Sequence, residues 1–174
     1  MPLALDDPRW NELQGSYGDT SDVVAWLTEA QREGGLSDER LGDLINEVKH
    51  QGDSSTAMYA VAEYLISIAR RASPEKALSL LTHAGLIYAD SDHPRAVPCP
   101  EFLREEFAAS APIAAQALGQ LLPLATEFYT YKYAVAALAG FIGHRSFGRF
   151  LDGLDLHKGE FYHSLLEKPF PPEI

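Results

Sequence analysis

Apolar side chains recur at helical spacing along most of the chain. In the clearest stretch they stand at positions i, i+3, i+4 and i+7, behind a serine that can act as the helix N-cap. Because an α-helix turns once every 3.6 residues, this spacing places the apolar side chains on one buried face. The apolar residues are Leu41, Leu44, Ile45 and Val48, and the serine is Ser37.

Cap residues and helix breakers divide the rest of the chain into further helices. Asp7 can accept amide hydrogens at a helix start, and Pro8 suits the first helical position, so a short helix should run to about Gly15. The prolines between residues 89 and 100 exclude helix there and predict a long loop. No segment predicts a strand. The other helices should begin near Asp19, Ser54, Ser73, Glu101, Glu127 and Ser146.

The segment after Glu127 requires a choice between helix and strand, because its tyrosines alternate with other residues. A larger set of apolar residues follows the helical period over four turns, and the alanine-rich middle favours helix. We therefore predict a helix. The set comprises Phe128, Tyr131, Val135, Leu138, Ala139 and Ile142.

A weak internal repeat supports an all-α fold of stacked antiparallel helix pairs. The pattern that begins at Ser37 recurs 36 residues later at Ser73. That period is typical of repeats in which each helix pair buries its apolar face on its neighbours. We predict a single domain over 1–174, with N-terminal capping helices at 1–35, stacked helix pairs at 37–153 and an extended tail at 154–174.

Trp10 precedes the predicted stack, at a place where a series of helix pairs would expose an apolar end. Together with Leu13 and Tyr17, it should cover that end by packing on the helix that carries Leu41 and Leu44. In the alternative interpretation Trp10 is an exposed anchor, because tryptophan is enriched at the energetic centre of protein interfaces.

Charge separates the classes of partner that the chain could bind. Its 25 acidic and 14 basic residues give a formal net charge of −11, which should repel the phosphates of nucleic acids. Between Asp6 and Glu63 there are 13 acids and 4 bases. This acidic third is either a solvated helical surface or a face for a basic partner.

The composition favours a cytoplasmic protein that does not enter membranes. Cys99 is the single cysteine, so no disulfide can form within the chain. The first residues lack the features of a secretory signal. The longest apolar run, residues 134–143, is about half of the ~20 residues that cross a bilayer.

No spacing of reactive residues predicts a catalytic, metal or cofactor site. The histidines at 157 and 163 would point to different sides of a helix. Cys99 has no basic neighbour in sequence that would activate its thiol. His50 follows a helix end, where imidazole can hydrogen-bond to free carbonyls, so it should cap that helix.

Several short motifs in the first seventy residues resemble bacterial HEAT-repeat-like proteins of uncharacterised function, some of which resemble immunity proteins of polymorphic toxin systems. The resemblance implies a curved α-α superhelix whose surface binds another protein. The matching segments are Leu5-Asp6-Asp7-Pro8-Arg9-Trp10, Tyr17-Gly18, His50-Gln51-Gly52 and Ala60-Val61-Ala62. Within these segments, the resemblance implies that each of seven positions has either a structural role or a binding role. The positions are Asp7, Pro8, Trp10, Tyr17, His50, Gln51 and Gly52.

We therefore expect a non-enzymatic protein-binding module, such as an immunity or antitoxin factor for a basic toxin. The alternative is a structural or homo-oligomeric helical-repeat protein. A third class, a helical-repeat DNA glycosylase, would need a basic concave surface, whereas the bases of this chain are few and scattered.

Overall fold

The protein is built almost entirely of α-helices, in a computed structural model that describes residues 2–33, 35–50 and 53–153. This confirms the all-α class, and the predicted tail lies outside the described residues. The helices are α1 (Ser21–Glu33), α2 (Asp38–Val48), α3 (Ala57–Ala69), α4 (Pro74–Asp90), α5 (Glu101–Leu121), α6 (Phe128–Phe141) and α7 (Arg145–Asp152). Short 3-10 helices lie at Pro8–Glu12 and Leu122–Leu124.

Three helix starts use the side-chain caps that the sequence predicts. A carboxylate oxygen of Asp7 accepts from the backbone N–H of Arg9 at 2.9 Å, at the head of the first 3-10 helix. Ser37 caps α2 and Ser73 caps α4 in the same way, through the amides three residues on. The two serines of the 36-residue repeat therefore occupy equivalent positions.

The described residues between α2 and α3 include two short strands, where the sequence predicted only a turn. Strands β1 (Lys49–His50) and β2 (Asp53–Ser54) pair antiparallel, with Lys49 opposite Ser54. Ser55 then donates from both its N–H and its hydroxyl to the carbonyl of Val48, at 3.1 and 2.9 Å. These bonds supply donors to a carbonyl at the end of α2 that would otherwise lack them. The sequence analysis predicted no strand, and that prediction was wrong.

Helix α4 is the centre of the fold. It packs against α3, α5, α6 and α7, and the extensive helix contacts join helices at most three places apart in the chain. Tyr88 of α4 stacks on Phe107 of α5, with ring centroids 3.8 Å apart. The most extensive contact joins α4 and α6, which are not consecutive in the chain. The HEAT-like superhelix remains a prediction.

Glycines allow α4, α6 and α7 to approach until their backbones touch. A β-carbon on Gly85 of α4 would lie 2.6 Å from that of Ala137 in α6. One on Gly140 of α6 would lie 2.8 Å from the amide nitrogen of Ala89, and one on Gly148 of α7 would meet a carbonyl of α6 at 2.7 Å. Only hydrogen fits at these three positions, so they set the spacing of the helices.

The glycine contacts also decide which face of α6 is buried. An amphipathic helix normally buries its large apolar side chains. In α6 the buried face is instead formed by small residues such as Ala136, Ala137 and Gly140. Three members of the predicted apolar set point outward, with Phe128 57%, Tyr131 50% and Ile142 56% exposed.

Trp10 and Leu13 of the N-terminal segment are buried as predicted, but the ring partner of Trp10 is in α3 and not in the predicted α2. Trp10 and Leu13 are 3% and 2% exposed. The indole N–H of Trp10 donates to the carbonyl of Ala4 at 2.9 Å, and its ring lies 6.2 Å from that of Tyr64 in α3. Tyr17 is 61% exposed, so its assignment to the buried cap was wrong.

One helical segment meets the length and hydropathy of a membrane span. Residues Glu101–Leu124 form 24 helical residues, and their most apolar window has a mean hydropathy of 1.2 and is 28% buried. Leu103, Phe107 and Leu118 of this segment pack into the core. Length and hydropathy do not distinguish a membrane span from a helix that packs in a protein core.

Replacing Gly140 with alanine tests the close approach of α4 and α6. Alanine should stabilise an isolated helix, but here its β-carbon must push two backbones apart, so we expect a net loss of about 1–3 kcal/mol in unfolding free energy. The matched control is Gly119→Ala in α5, where a β-carbon meets nothing within 4 Å and should add about 0.5–1 kcal/mol. Urea denaturation measures both, and two stabilised variants would contradict the packing.

Replacing Trp10 with alanine tests its role as a cover. Loss of a large buried aromatic side chain costs ~3–5 kcal/mol, which is a large part of a domain's ~5–15 kcal/mol. The midpoint of thermal unfolding should fall by many degrees. Tyr17→Ala is the control, because its exposed ring should leave the midpoint within a few degrees. A Trp10 variant that melts like the parent would refute the assignment.

Candidate functional site

Two of the motif residues, Tyr17 and His50, meet at the surface although they are 33 positions apart. Nδ1 of His50 lies 2.7 Å from the Tyr17 hydroxyl and 2.9 Å from Oδ1 of Asn46. The side-chain amide nitrogen of Asn46 donates to the Tyr17 hydroxyl at 3.3 Å. The ring centroids of Tyr17 and His50 are 5.0 Å apart. The three side chains form a closed polar cluster around an exposed aromatic ring.

Backbone geometry presents Tyr17 to solvent. The N–H of Ser16 donates to the carbonyl of Glu47 at the end of α2, and the N–H of Gly15 closes a turn onto the carbonyl of Gly18. Gly18 has φ of 140°, a conformation that residues with a side chain rarely adopt. The loop is thus fixed on α2, and the Tyr17 ring rests on the hairpin that follows.

An acidic helix face leads to this cluster. Glu39, Asp43 and Asn46 are exposed on one side of α2, and His50 follows in β1. Of the acidic residues in the N-terminal third whose burial is described, only Glu63 is buried. We call the surface formed by Tyr17, Glu39, Asp43, Asn46 and His50 the Tyr17 face.

The His50 side chain does not cap α2, contrary to the sequence prediction. The backbone N–H of Lys49 takes that place, by donating to the carbonyl of Ile45. The imidazole instead turns toward Tyr17. The sequence analysis missed Asn46. The helical spacing of four does not explain its contact with His50, because α2 ends at Val48 and His50 lies in β1.

The other motif residues have structural surroundings or lie outside the described chain. The pKa of Asp7 is lowered to about 2 by its side-chain hydrogen bonds with Arg9. Pro8 opens the 3-10 helix and Trp10 is buried. Gln51 and Gly52 lie outside the described residues.

A second group of charged side chains ties the hairpin to the C-terminal helices. The ammonium of Lys49 pairs closely with Asp90 of α4 and lies 3.9 Å from a carboxylate oxygen of Asp152 in α7. Burial raises the pKa of Asp152, and the charge of Lys49 opposes that effect. Arg149 pairs with Asp92 and donates to the carbonyl of Ala89 at 2.6 Å. These partners hold three elements together around a depression of about 240 Å³.

A third polar group is buried where α3, α4 and α5 meet. Glu63 is 4% exposed and no cation of the described chain pairs with it. The hydroxyls of Tyr88 and Ser110 lie 2.9 and 2.6 Å from the same oxygen of Glu63, and 2.6 Å from each other. The Tyr88 hydroxyl also reaches the carbonyl of Phe107 at 2.5 Å.

The surroundings of Glu63 favour its protonated form, because the carboxyl group is buried with no cationic partner among the described residues. The hydroxyls of Tyr88 and Ser110 both donate to one of its oxygens, and these two bonds offset the effect of burial only in part. Burial raises the pKa of Glu63, in agreement with this arrangement.

Cys99 is not placed to act as a nucleophile. Its thiol is partly buried, and burial raises its pKa to about 11, so the unreactive protonated form dominates near neutral pH. Within the described part of the chain, no three His, Cys, Asp or Glu side chains are grouped to hold a metal ion.

Comparison with protein-family models, with curated proteins and with solved structures found no match to this chain. The resemblance to HEAT-repeat-like proteins therefore remains a prediction from the motifs. Its residues Tyr17 and His50 form one surface cluster, and its residues Asp7, Pro8 and Trp10 belong to the covering segment.

The Glu63→Gln variant tests the protonation of the buried acid. Because folding raises the pKa of Glu63 above its ordinary 4.5, the folded chain holds a proton that the unfolded chain releases. The stabilisation of the fold by this bound proton is fully present below pH 4.5, and it is lost as the pH rises through the pKa that Glu63 has in the folded chain. Glutamine cannot lose a proton, so the stability of the variant relative to the parent should increase between pH 4 and pH 8.

Urea denaturation across that pH range measures the difference in unfolding free energy. Glu105→Gln on the exposed side of α5 serves as the control and should show little change with pH. A constant difference between parent and Glu63→Gln would show that the folded state does not raise this pKa.

Proposed function

We propose that this protein is a non-enzymatic binding module that holds a basic protein partner on the Tyr17 face. The observation that carries the proposal is the exposed Tyr17 ring, fixed by His50 and Asn46 at the end of an acidic helix face. A rigid aromatic side chain with acidic neighbours is suited to a partner rich in lysine and arginine.

Preorganisation gives Tyr17 an advantage as a binding residue. Ordering a free side chain at an interface costs about 0.5–1.5 kcal/mol. Here the hydroxyl is already held by two side chains, while the ring stays 61% exposed. A partner can therefore bury the ring, or place a cation over it, at little entropic cost.

The acidic residues around Tyr17 would mainly increase the rate at which the basic partner associates. Asp43 is in contact with Arg40 at 3.2 Å, whereas Glu39 has no cationic partner among the described residues. Exposed carboxylates attract a basic protein over about 8–10 Å at physiological salt. Binding should therefore be faster at low salt, as expected for a complex steered by charge.

The distribution of basic residues argues against a nucleic-acid partner. Lys49, Lys76 and Arg149 each pair with an aspartate, so their charge is already compensated. Nucleic-acid binding requires bases that are free to neutralise phosphates. Protein binding is therefore favoured over a glycosylase-type activity.

The motif resemblance adds a more specific proposal, which is an immunity or antitoxin factor of the cytoplasm that inhibits a basic toxin. Nucleases are basic because they bind phosphates, and an acidic binding protein would compete at the same surface. A gene for a secreted toxin beside the gene for this chain would support this version.

Affinity capture with matched variants tests the proposal. The tagged chain, Tyr17→Ala, the double variant Glu39→Lys with Asp43→Lys, and Glu105→Lys as a charge control on α5 are incubated with lysate of the native host. Each capture is run at about 50 and 300 mM salt, a range over which surface charges become screened. We expect a basic protein with the parent and the control, and much less with the other two variants.

The affinity for the captured protein is then measured directly. Tyr17→Ala should weaken binding about tenfold or more, which corresponds to ~1.4 kcal/mol or above. Equal affinity of all four proteins would place the interface elsewhere. Capture of no protein under either salt condition would contradict the binding function itself.

A further inference from the structure

The outward face of α6 carries apolar residues at the spacing of a helix–helix seam. The separations between successive members are three, four, three and four, which is the a/d pattern of a heptad repeat. Residues at this spacing line one side of a helix. The members, which we call the α6 stripe, are Phe128, Tyr131, Val135 and Leu138 of α6 and Ile142 directly after it.

The described part of the chain leaves this stripe largely uncovered. Phe128, Tyr131 and Ile142 are each at least half exposed, and Val135 and Leu138 are partly buried. The opposite, small-residue face of α6 is already used against α4 and α7. A row of large apolar side chains in water is unfavourable and is typical of a surface that binds another protein.

We propose that the α6 stripe binds the α6 stripe of a second copy of this chain, in an antiparallel pair. A two-fold axis makes one surface complementary to itself, so a single stripe supplies both sides of the contact. In this pair Val135 lies at the axis, and Phe128 of one copy lies opposite Ile142 of the other.

Charge favours a second copy at this surface over any other surface. Two molecules with a net charge of −11 repel each other, yet residues 107–153 contain only two acids and three bases. The ends of the stripe are also complementary. Glu127 is exposed beside Phe128, and His144 is exposed beyond Ile142. In an antiparallel pair, Glu127 of each copy therefore lies next to His144 of the other copy.

The size of the stripe sets the expected strength. From Phe128 to Ile142 it spans 15 residues, with ~21 Å between the first and the last along the helix axis. Phe147 and Phe150 of α7, which are 54% and 53% exposed, add further apolar surface in the same part of the chain. The five residues of the stripe and these two phenylalanines are fewer than the roughly 20–30 residues a side of a standard interface, so we expect a dissociation constant in the micromolar range.

Sedimentation velocity of the full chain between about 1 and 200 µM tests the pair. The parent should shift from monomer to dimer across this range, and Tyr131→Glu should remain monomeric. Ile113→Glu is the matched control, because Ile113 is 53% exposed on α5 outside the stripe, and it should dimerise like the parent. Circular dichroism confirms that both variants are folded.

Cross-linking tests the register in a Cys99→Ala background. A mixture of Phe128→Cys and Ile142→Cys chains should form mixed disulfide dimers in preference to dimers of either chain alone. A parent that stays monomeric at 200 µM would overturn the proposal. So would a dimer that persists unchanged in Tyr131→Glu, or cross-links of Phe128→Cys with itself that exceed the mixed product.

Discussion

The close approach of α4, α6 and α7 is the constraint on which the rest of the structure depends. Gly85, Gly140 and Gly148 let the three backbones touch, and any larger side chain there would separate them. Short interhelical distances allow many weak atomic contacts, which together stabilise the packing. The same constraint turns the small face of α6 inward and leaves Phe128 and Tyr131 exposed, so it shapes a surface as well as a core.

The molecule is chemically divided into two parts with different surfaces. The N-terminal helices carry many exposed carboxylates and the Tyr17 face, whereas residues 107–153 contain only two acids and three bases. Tyr88 and Glu63 lie between them, in a polar group that joins α3, α4 and α5. A binding surface for a basic partner and a surface for self-association can therefore exist on one small domain without competing.

The short hairpin between α2 and α3 connects structure to proposed function. It places His50 under the Tyr17 ring, and Lys49 beside Asp90 and Asp152. One side of the hairpin thus supports the candidate binding residue, while the other anchors α4 and α7.

The sequence by itself determined the helices and their starts, since cap residues such as Ser37 and the 3.6-residue period act over a few neighbouring positions. It also predicted the burial of Trp10. Tertiary structure alone decided that Tyr17 is exposed beside His50, because contacts between distant segments have no local signature. It also decided which face of α6 is buried, because that depends on how closely another backbone can approach Gly140, and not on the hydrophobicity of the helix itself.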